Sequence, residues 1–268
     1  HYVYNFLASI ERILGARVDH EKGLVAWQGR EIKVKTAPIG IDWRDFEGLA
    51  RQEKVRRIAG EIRGCAGGEW LLLGVDRLDY TKGIIERLRA LETLWERFPT
   101  WRRGITFIQV AGPSRTEVPG YQQLKREVEE AVGRMNGRYT ENYHVPIKYI
   151  FRSVPRDELV AHYLAADMAL VTPLRDGLNL VAKEYVISQA DSEGVLLMSP
   201  LAGAADQLSE ALIANPYNPV EVAEKIVQGL TMPREEVRRR LSVLQKGIRE
   251  QDISWWWEQI IEGWLNVP

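Results

Sequence analysis

Residues 170–185 read Leu-Val-Thr-Pro-Leu-Arg-Asp-Gly-Leu-Asn-Leu-Val-Ala-Lys-Glu-Tyr. The stretch begins as a buried strand, Met168 to Val171, breaks at Pro173 and at Asp176-Gly177, and re-forms as a helix from about Asn179. A strand, a Gly-containing turn and a helix N-terminus together make an anion site, because the first helical N–H groups lack intrahelical partners and point outward. Beside that turn stand Asp176, Lys183 and Glu184, at the carboxyl end of a strand. In open α/β sheets that edge is where ligands bind. On pattern alone, a plain strand–turn–helix connection with a capping Asp and a solvated Lys-Glu pair fits equally well.

The flanking sequence sets the architecture. From Trp43 onward helices and short apolar strands alternate: a helix from about Phe46 to Arg63, the strand Trp70 to Val75, a helix near Gly83 to Phe98, and the strand Ile105 to Ala111. A helix near Tyr121 to Met135, the strand Ile147 to Phe151 and a helix near Arg156 to Ala166 lead back to the quoted stretch. Beyond it come a helix to about Gln189, the strand Val195 to Ser199, a short helix from Ala202, the strand Ala211 to Ala214, and helices to the end. This rhythm predicts an α/β fold with a doubly wound parallel sheet covered on both faces. Ahead of it, Val3, Phe6, Leu7, Ile10, Ile13 and Leu14 recur at helical spacing up to Gly15. Two alternating runs, Leu24 to Gln28 and Glu31 to Ala37, then flank a turn at Gly29, and Pro38-Ile-Gly-Ile-Asp42 marks a junction.

Composition narrows the function. The chain has 268 residues, enough for one large domain or two small ones, with 45% apolar and 27% charged residues. Lys+Arg number 36 against Asp+Glu 37, so nothing points to nucleic acid or to an anionic membrane. No apolar run approaches the roughly 20 residues of a membrane span. One cysteine, Cys65, excludes an internal disulfide framework and fits a reducing cytoplasm. No initiator Met is present, and the chain opens on His1 directly in a helical pattern, so it reads as a piece of something longer.

With the overall charge balanced, local positive charge must be sought in particular loops, and two strand-to-helix loops carry it. Asp76-Arg-Leu-Asp-Tyr-Thr-Lys-Gly83 puts Arg77 and Lys82 in one loop. They are either a solvated pair or, with Gly83 and the helix start, an oxyanion cradle. Gly112-Pro-Ser-Arg115 follows the next strand, where Arg115 could also cap strand carbonyls. His20, His144 and His162 lie on separate elements without metal-ligand spacing and read as structural. Trp255, Trp256, Trp257 and Trp264 recur partly at helical spacing, the usual mark of core. Arg238-Arg-Arg240 reads as a solvated helix face.

Thirteen contiguous residues, Pro173 to Tyr185, closely resemble the donor-site signature of the trehalose-6-phosphate synthase family of retaining glycosyltransferases, and Arg77 to Gly83 resembles a second motif of that family. The resemblance extends over essentially the whole chain. It implies the donor-binding half of a two-lobed GT-B enzyme, divided as 1–40 (remnant of the acceptor domain and hinge), 41–250 (donor domain) and 251–268 (a helix crossing back to the acceptor domain). It further implies that Arg77 and Lys82 contact the donor diphosphate, that Asp176 and Gly177 hold the donor hexose, and that Leu180, Val181, Ala182, Lys183 and Glu184 line diphosphate and ribose. Val154 falls where relatives contact the base, and Arg115 where they bind the phosphate of glucose 6-phosphate. The implied reaction joins glucose from UDP-glucose, or another nucleotide-glucose, to glucose 6-phosphate and gives trehalose 6-phosphate with retention. Loss of a diphosphate requires a metal or fixed cations. With no Asp-X-Asp pair in the chain, Arg77 and Lys82 are the expected metal-independent solution, with no cofactor. Two further readings stay open: the same chemistry on another acceptor, as in glucosylglycerol-phosphate synthases or pseudo-glycosyltransferases, and a non-catalytic nucleotide-sugar-binding module. The sequence leaves the nucleotide base and homo-oligomerisation undecided.

Overall fold

The computed structural model describes residues 2–189 and 193–265. Residue 1 and residues 266–268, the tips of the expected first and last segments, lie outside the described residues. Helix α1 (Tyr2–Leu14) ends where Gly15 takes φ of 63°. Three short strands follow in antiparallel order, β1 (Arg17–Asp19), β2 (Leu24–Trp27) and β3 (Arg30–Lys33). Between β2 and β3, Gln28 and Gly29 both have positive φ, the two-residue turn that matches strand twist. This unit has a small core of its own, Leu7, Ala16 and Val25.

Next come α2 (Trp43–Arg51), α3 (Glu53–Ala66), β4 (Trp70–Arg77), α4 (Ile84–Arg97) and β5 (Ile105–Gly112). After them run α5 (Pro119–Tyr139), β6 (Ile147–Ile150), α6 (Arg156–Ala165), β7 (Met168–Val171) and α7 (Leu180–Ser188). The chain closes with β8 (Val195–Met198), β9 (Leu212–Ile213), α8 (Pro219–Leu230), α9 (Arg234–Glu250) and α10 (Ile253–Leu265). β4 to β9 form one six-stranded sheet in the order β6-β5-β4-β7-β8-β9, every pair parallel. Alternation along β4 sends Leu71 and Leu73 into one core layer, with Phe46, Val55, Tyr163 and Val186, and Leu72 into the other, with Leu91, Trp95, Val128 and Ile226. Each of these leucines is almost fully buried, worth roughly 2 kcal/mol by transfer. Sequence order reverses between β4 and β7: the chain winds outward through β5 and β6, then returns to the other side of β4. Such a switch point opens a crevice at the carboxyl edge of the sheet.

Several expectations need correction. The helix expected over Phe46–Arg63 is two helices broken at Gln52, which is extended with ψ of 133°. Ala50 and Val55 are five residues apart, about 140° out of phase on one helix, and the break lets both face the core. β4 runs two residues further than expected, so Arg77 ends a strand, paired opposite Gly112, and does not sit in the loop. The short helix from Ala202 is a 3₁₀ turn over Gly203–Asp206, and β9 shrinks to Leu212–Ile213. β1 was not expected, being too short to show alternation. The terminal tryptophans are not core: α10 has no buried residue, and Trp257 and Trp264 are exposed.

Candidate functional site

The loops after β4 and β7 meet across the switch point. After β4, Asp79 caps a 3₁₀ turn, Tyr80–Lys82, accepting from Thr81 N at 2.9 Å and Thr81 Oγ1 at 2.7 Å. Gly83 leaves the turn with φ of 66°, and a Cβ there would stand 2.4 Å from the Thr172 carbonyl oxygen. Only glycine satisfies both conditions. The Thr81 carbonyl in turn accepts from Leu174 N at 2.8 Å and Arg175 N at 3.2 Å, fastening the β7–α7 loop onto the β4 loop.

That fastening brings Lys82 and Asp176 together. Lys82 Nζ donates to Asp176 Oδ2 at 2.5 Å, with the two side chains only 15% and 14% exposed. The same carboxylate oxygen accepts from Asn179 Nδ2 at 3.1 Å. Asn179 is the N-cap of α7: its Oδ1 accepts from Ala182 N at 3.2 Å, from a backbone with φ of 79°. Asn takes positive φ more readily than other non-glycine residues because its short amide bonds locally.

A cleft of about 230 Å³ opens beside this pair. Arg77, Lys82, Val154, Asn179 and Val181 line it, together with Arg152 and Ser153. Arg77 is exposed and lines the cleft with no ion pair among the described residues, although its charge is felt by the nearby Asp79 carboxylate. Leu180 is half-buried, Ala182 buried and Gly177 exposed, and none of the three lines the cleft. Under the floor, Arg87 is fully buried and donates to Asp76 Oδ2 at 2.6 Å, Gln109 Oε1 at 2.8 Å and Thr172 Oγ1 at 3.0 Å. One guanidinium thus ties the ends of three adjacent strands. Gly74 makes room for it, since a Cβ would lie 2.5 Å from Arg87 Nη1.

Neither Lys183 nor Glu184 is among the residues lining the cleft. Lys183 is 1% exposed, and its Nζ donates to the Ile39 carbonyl at 3.0 Å, in the segment joining the N-terminal unit to the sheet domain. Burial lowers this ammonium from 10.5 to about 8. Glu184 is half-buried and accepts from Tyr163 Oη at 2.8 Å. Burial raises its carboxyl above the ordinary range, opposed by the Tyr163 hydroxyl and by Arg156. Arg115 lies one loop away, exposed, with φ of 45°, and its Nη1 donates to Tyr121 Oη at 3.0 Å. The structure therefore gathers Arg77, Lys82, Asp176, Val154 and Val181 closely, Arg115 adjacent, and Lys183 behind. Asn179 and Arg152 were not singled out from sequence. An Asn just before a helical pattern signals an N-cap, whereas nothing marks Arg152. The histidines are structural in their contacts: His144 bonds Thr106, and His162 the Glu158 carbonyl. No group of three or more metal-binding side chains occurs among the described residues.

The family model for glycosyltransferase family 20 matches residues 1–264. A bifunctional trehalose-6-phosphate synthase/phosphatase from Thermoproteus tenax is 42% identical over 266 residues, covering 99% of this chain and 36% of the relative. A UDP-forming alpha,alpha-trehalose-phosphate synthase from Pichia angusta is 40% identical over 267 residues, covering 99% and 56%. The crystal structure of a UDP-forming synthase from Burkholderia xenovorans superposes with a TM-score of 0.93 at 37% identity, over 99% of this chain and 59% of that one. The Escherichia coli protein bound with UDP-2-fluoro glucose gives 0.88 at 34% identity, over 94% and 56%. The chain thus spans between about a third and three-fifths of these relatives' lengths. On the family match and these likenesses, the chain belongs to glycosyltransferase family 20, the family of the trehalose-6-phosphate synthases.

Proposed function

We propose that the complete protein transfers glucose from UDP-glucose to glucose 6-phosphate, releasing UDP and forming trehalose 6-phosphate with retention, and that this chain supplies the donor site. The observation carrying the reading is the pairing of Lys82 with Asp176 across the switch point, beside Arg77, which has no ion pair among the described residues. Breaking the glycosidic bond to the diphosphate moves negative charge onto its oxygens. Two fixed cations and a helix N-terminus oppose that charge where it grows. The acceptor hydroxyl then bonds to the same face of the anomeric carbon, and its proton passes to an oxygen of the departing phosphate. No protein nucleophile is needed. In this reading Asp176 and the backbone at Gly177 hold the hexose, Glu184 takes the ribose hydroxyls, Leu180 to Ala182 present α7's N-terminus to the diphosphate, Val154 sits by the base, and Arg115 meets the acceptor phosphate. The reaction is metal-independent and cytoplasmic. No helix among the described residues is long and apolar enough to cross a membrane. The domain division at about residues 40 and 250 belongs to the same reading, supported by the contact of Gly40 with the Asp252–Ile253 backbone, where both chain crossings meet.

The test is product analysis with the complete protein, UDP-glucose and a panel of phosphorylated acceptors, after exhaustive chelation. Trehalose 6-phosphate is the expected product. A product made only from glycerol 3-phosphate, or an absolute requirement for a divalent cation, would overturn the corresponding part. Failure of this chain to bind UDP in calorimetric titration would remove the donor-site assignment altogether.

A further inference from the structure

One hydrogen-bonded chain on the carboxyl edge of the sheet lies outside the cleft and joins the loops after β4 and β5, which α4 and β5 separate in sequence. Asp79 Oδ1 caps the turn that ends in Lys82. The other oxygen, Asp79 Oδ2, accepts from Tyr121 Oη at 3.0 Å. Tyr121 Oη accepts in turn from Arg115 Nη1 at 3.0 Å. Tyr121 belongs to the first turn of α5, is 4% exposed, and lies under the Arg115 guanidinium, whose centre is 5.5 Å from the ring centroid. The Tyr80 ring packs edge-on against it at 5.7 Å.

The direction of each bond is forced. A hydroxyl has one proton, and a carboxylate can only accept. The Tyr121 proton therefore goes to Asp79, and the oxygen lone pair is turned to Arg115. A hydroxyl donating to an anion becomes a better acceptor, so the bond to Arg115 is strengthened. The arrangement requires Asp79 to be ionised. Although burial pushes its carboxyl up, the Thr81 and Tyr121 bonds and the Arg77 charge together hold it below the ordinary value. Arg115 has no carboxylate partner among the described residues, and one of its N–H groups is engaged there. The rest of its fork is available. Its φ of 45° is a left-handed conformation disfavoured for a side chain of this size, of the kind retained where a side chain must be aimed.

We propose that Tyr121 is a positioning residue for the acceptor: it aims Arg115 at the phosphate monoester of the incoming sugar and locks that guanidinium to the turn carrying Lys82. This rests on the reading that Arg115 meets the acceptor phosphate and Lys82 the donor diphosphate. Its consequence is that the two anion-binding loops behave as one piece, so that the acceptor phosphate is registered against the leaving group.

The test uses the complete protein and the variants Tyr121→Phe, Arg115→Ala and their combination. Phenylalanine keeps the ring, its packing and its place under the guanidinium, and removes only the hydroxyl. The expected result for Tyr121→Phe is a KM for glucose 6-phosphate raised about tenfold, the scale of one charge-assisted hydrogen bond. KM for UDP-glucose should stay within about twofold of the parent value, a scale well below one hydrogen bond. The double variant should be no worse than Arg115→Ala in KM for glucose 6-phosphate, because the hydroxyl reaches the acceptor phosphate through Arg115. With unphosphorylated glucose as acceptor the Tyr121→Phe effect should vanish. An unchanged KM for glucose 6-phosphate, equal losses for both substrates, or additive losses in the double variant overturns the role of Tyr121. A parent enzyme indifferent to the acceptor phosphate overturns the underlying reading as well, and is told apart because it needs no variant. Arg115 is exposed, so Arg115→Ala remains informative should Tyr121→Phe fold poorly.

Discussion

Replacing Asp176 by asparagine separates two roles that the structure assigns to one carboxylate. Without ligand, Asp176 neutralises Lys82 at 2.5 Å in a place where both side chains are about 15% exposed. Any phosphate arriving at Lys82 must therefore compete with an anion already bound. A charge-assisted hydrogen bond at such partial burial is worth about 1.5–3 kcal/mol, less than a fully buried pair and more than a solvent-exposed one. Asparagine is nearly isosteric and can keep the contact to Asn179, but it removes the competing charge. Taking the lower figure, the Asp176→Asn variant should bind UDP up to about tenfold more tightly than the parent chain. UDP-glucose should gain far less, because its hexose loses the carboxylate proposed to hold it. Calorimetric titration of both proteins with UDP and UDP-glucose, at one fixed ionic strength, reads the difference directly. Weaker UDP binding in the variant would refute the reasoning. It would mean that Asp176 serves mainly to hold Lys82 in place for the phosphate, and that preorganisation outweighs competition.

Other substitutions report on the supports of the site. Arg87→Leu strands Asp76 in the protein interior and should cost about 3–5 kcal/mol in urea unfolding; a loss below about 1 kcal/mol would show that water reaches the carboxylate. Glu184→Gln should raise the unfolding midpoint of the ligand-free chain at pH 7 while weakening UDP, since its carboxyl is held above the ordinary value and its charged form costs the fold as pH rises past 4.5. The contribution of Lys183 runs with a definite sign: its folded value of about 8 lies below 10.5, so between them the unfolded chain holds a proton that the folded chain has shed. Parent stability should therefore gain on that of Lys183→Met from about pH 8 to 10.5, and a constant difference across that range would argue that Lys183 titrates normally.

The sheet was legible because its chemistry is periodic. Buried runs such as Trp70-Leu-Leu-Leu-Gly-Val75 and Met168 to Val171 leave no other solution than strands covered on both faces, and the motif loops fall between them in the expected places. Boundaries were less legible where tertiary pairing decides them. Arg77 stays in β4 because Gly112 is there to pair with it, and Gln52 breaks a helix because Ala50 and Val55 must face the same core. The terminal tryptophans misled because spacing reports an apolar face and says nothing of what covers it.

The site shows the limit of motif reading more sharply. The sequence singles out Arg77, Lys82 and Asp176, each as a separate expected contact to ligand. That Lys82 and Asp176, 94 positions apart in sequence, bond to each other depends on the intervening chain bringing two loops to one switch point, and no local pattern encodes it. The same holds for Lys183. Its place in the motif suggested a ligand contact, but its ammonium reaches backward to the Ile39 carbonyl. Four residues earlier, Asn179 donates to Asp176. The first turns of α7 therefore connect the paired carboxylate at the cleft to the segment joining the N-terminal unit. Gly40 in that segment lies against the Asp252–Ile253 backbone so closely that a Cβ would come within 2.1 Å of the Asp252 carbonyl carbon. A shift of this segment cannot be absorbed by compressing the contact at Gly40, because packed backbone does not yield smoothly. It must displace either α10 or Lys183, and through Lys183 the helix whose N-cap, Asn179, lines the cleft.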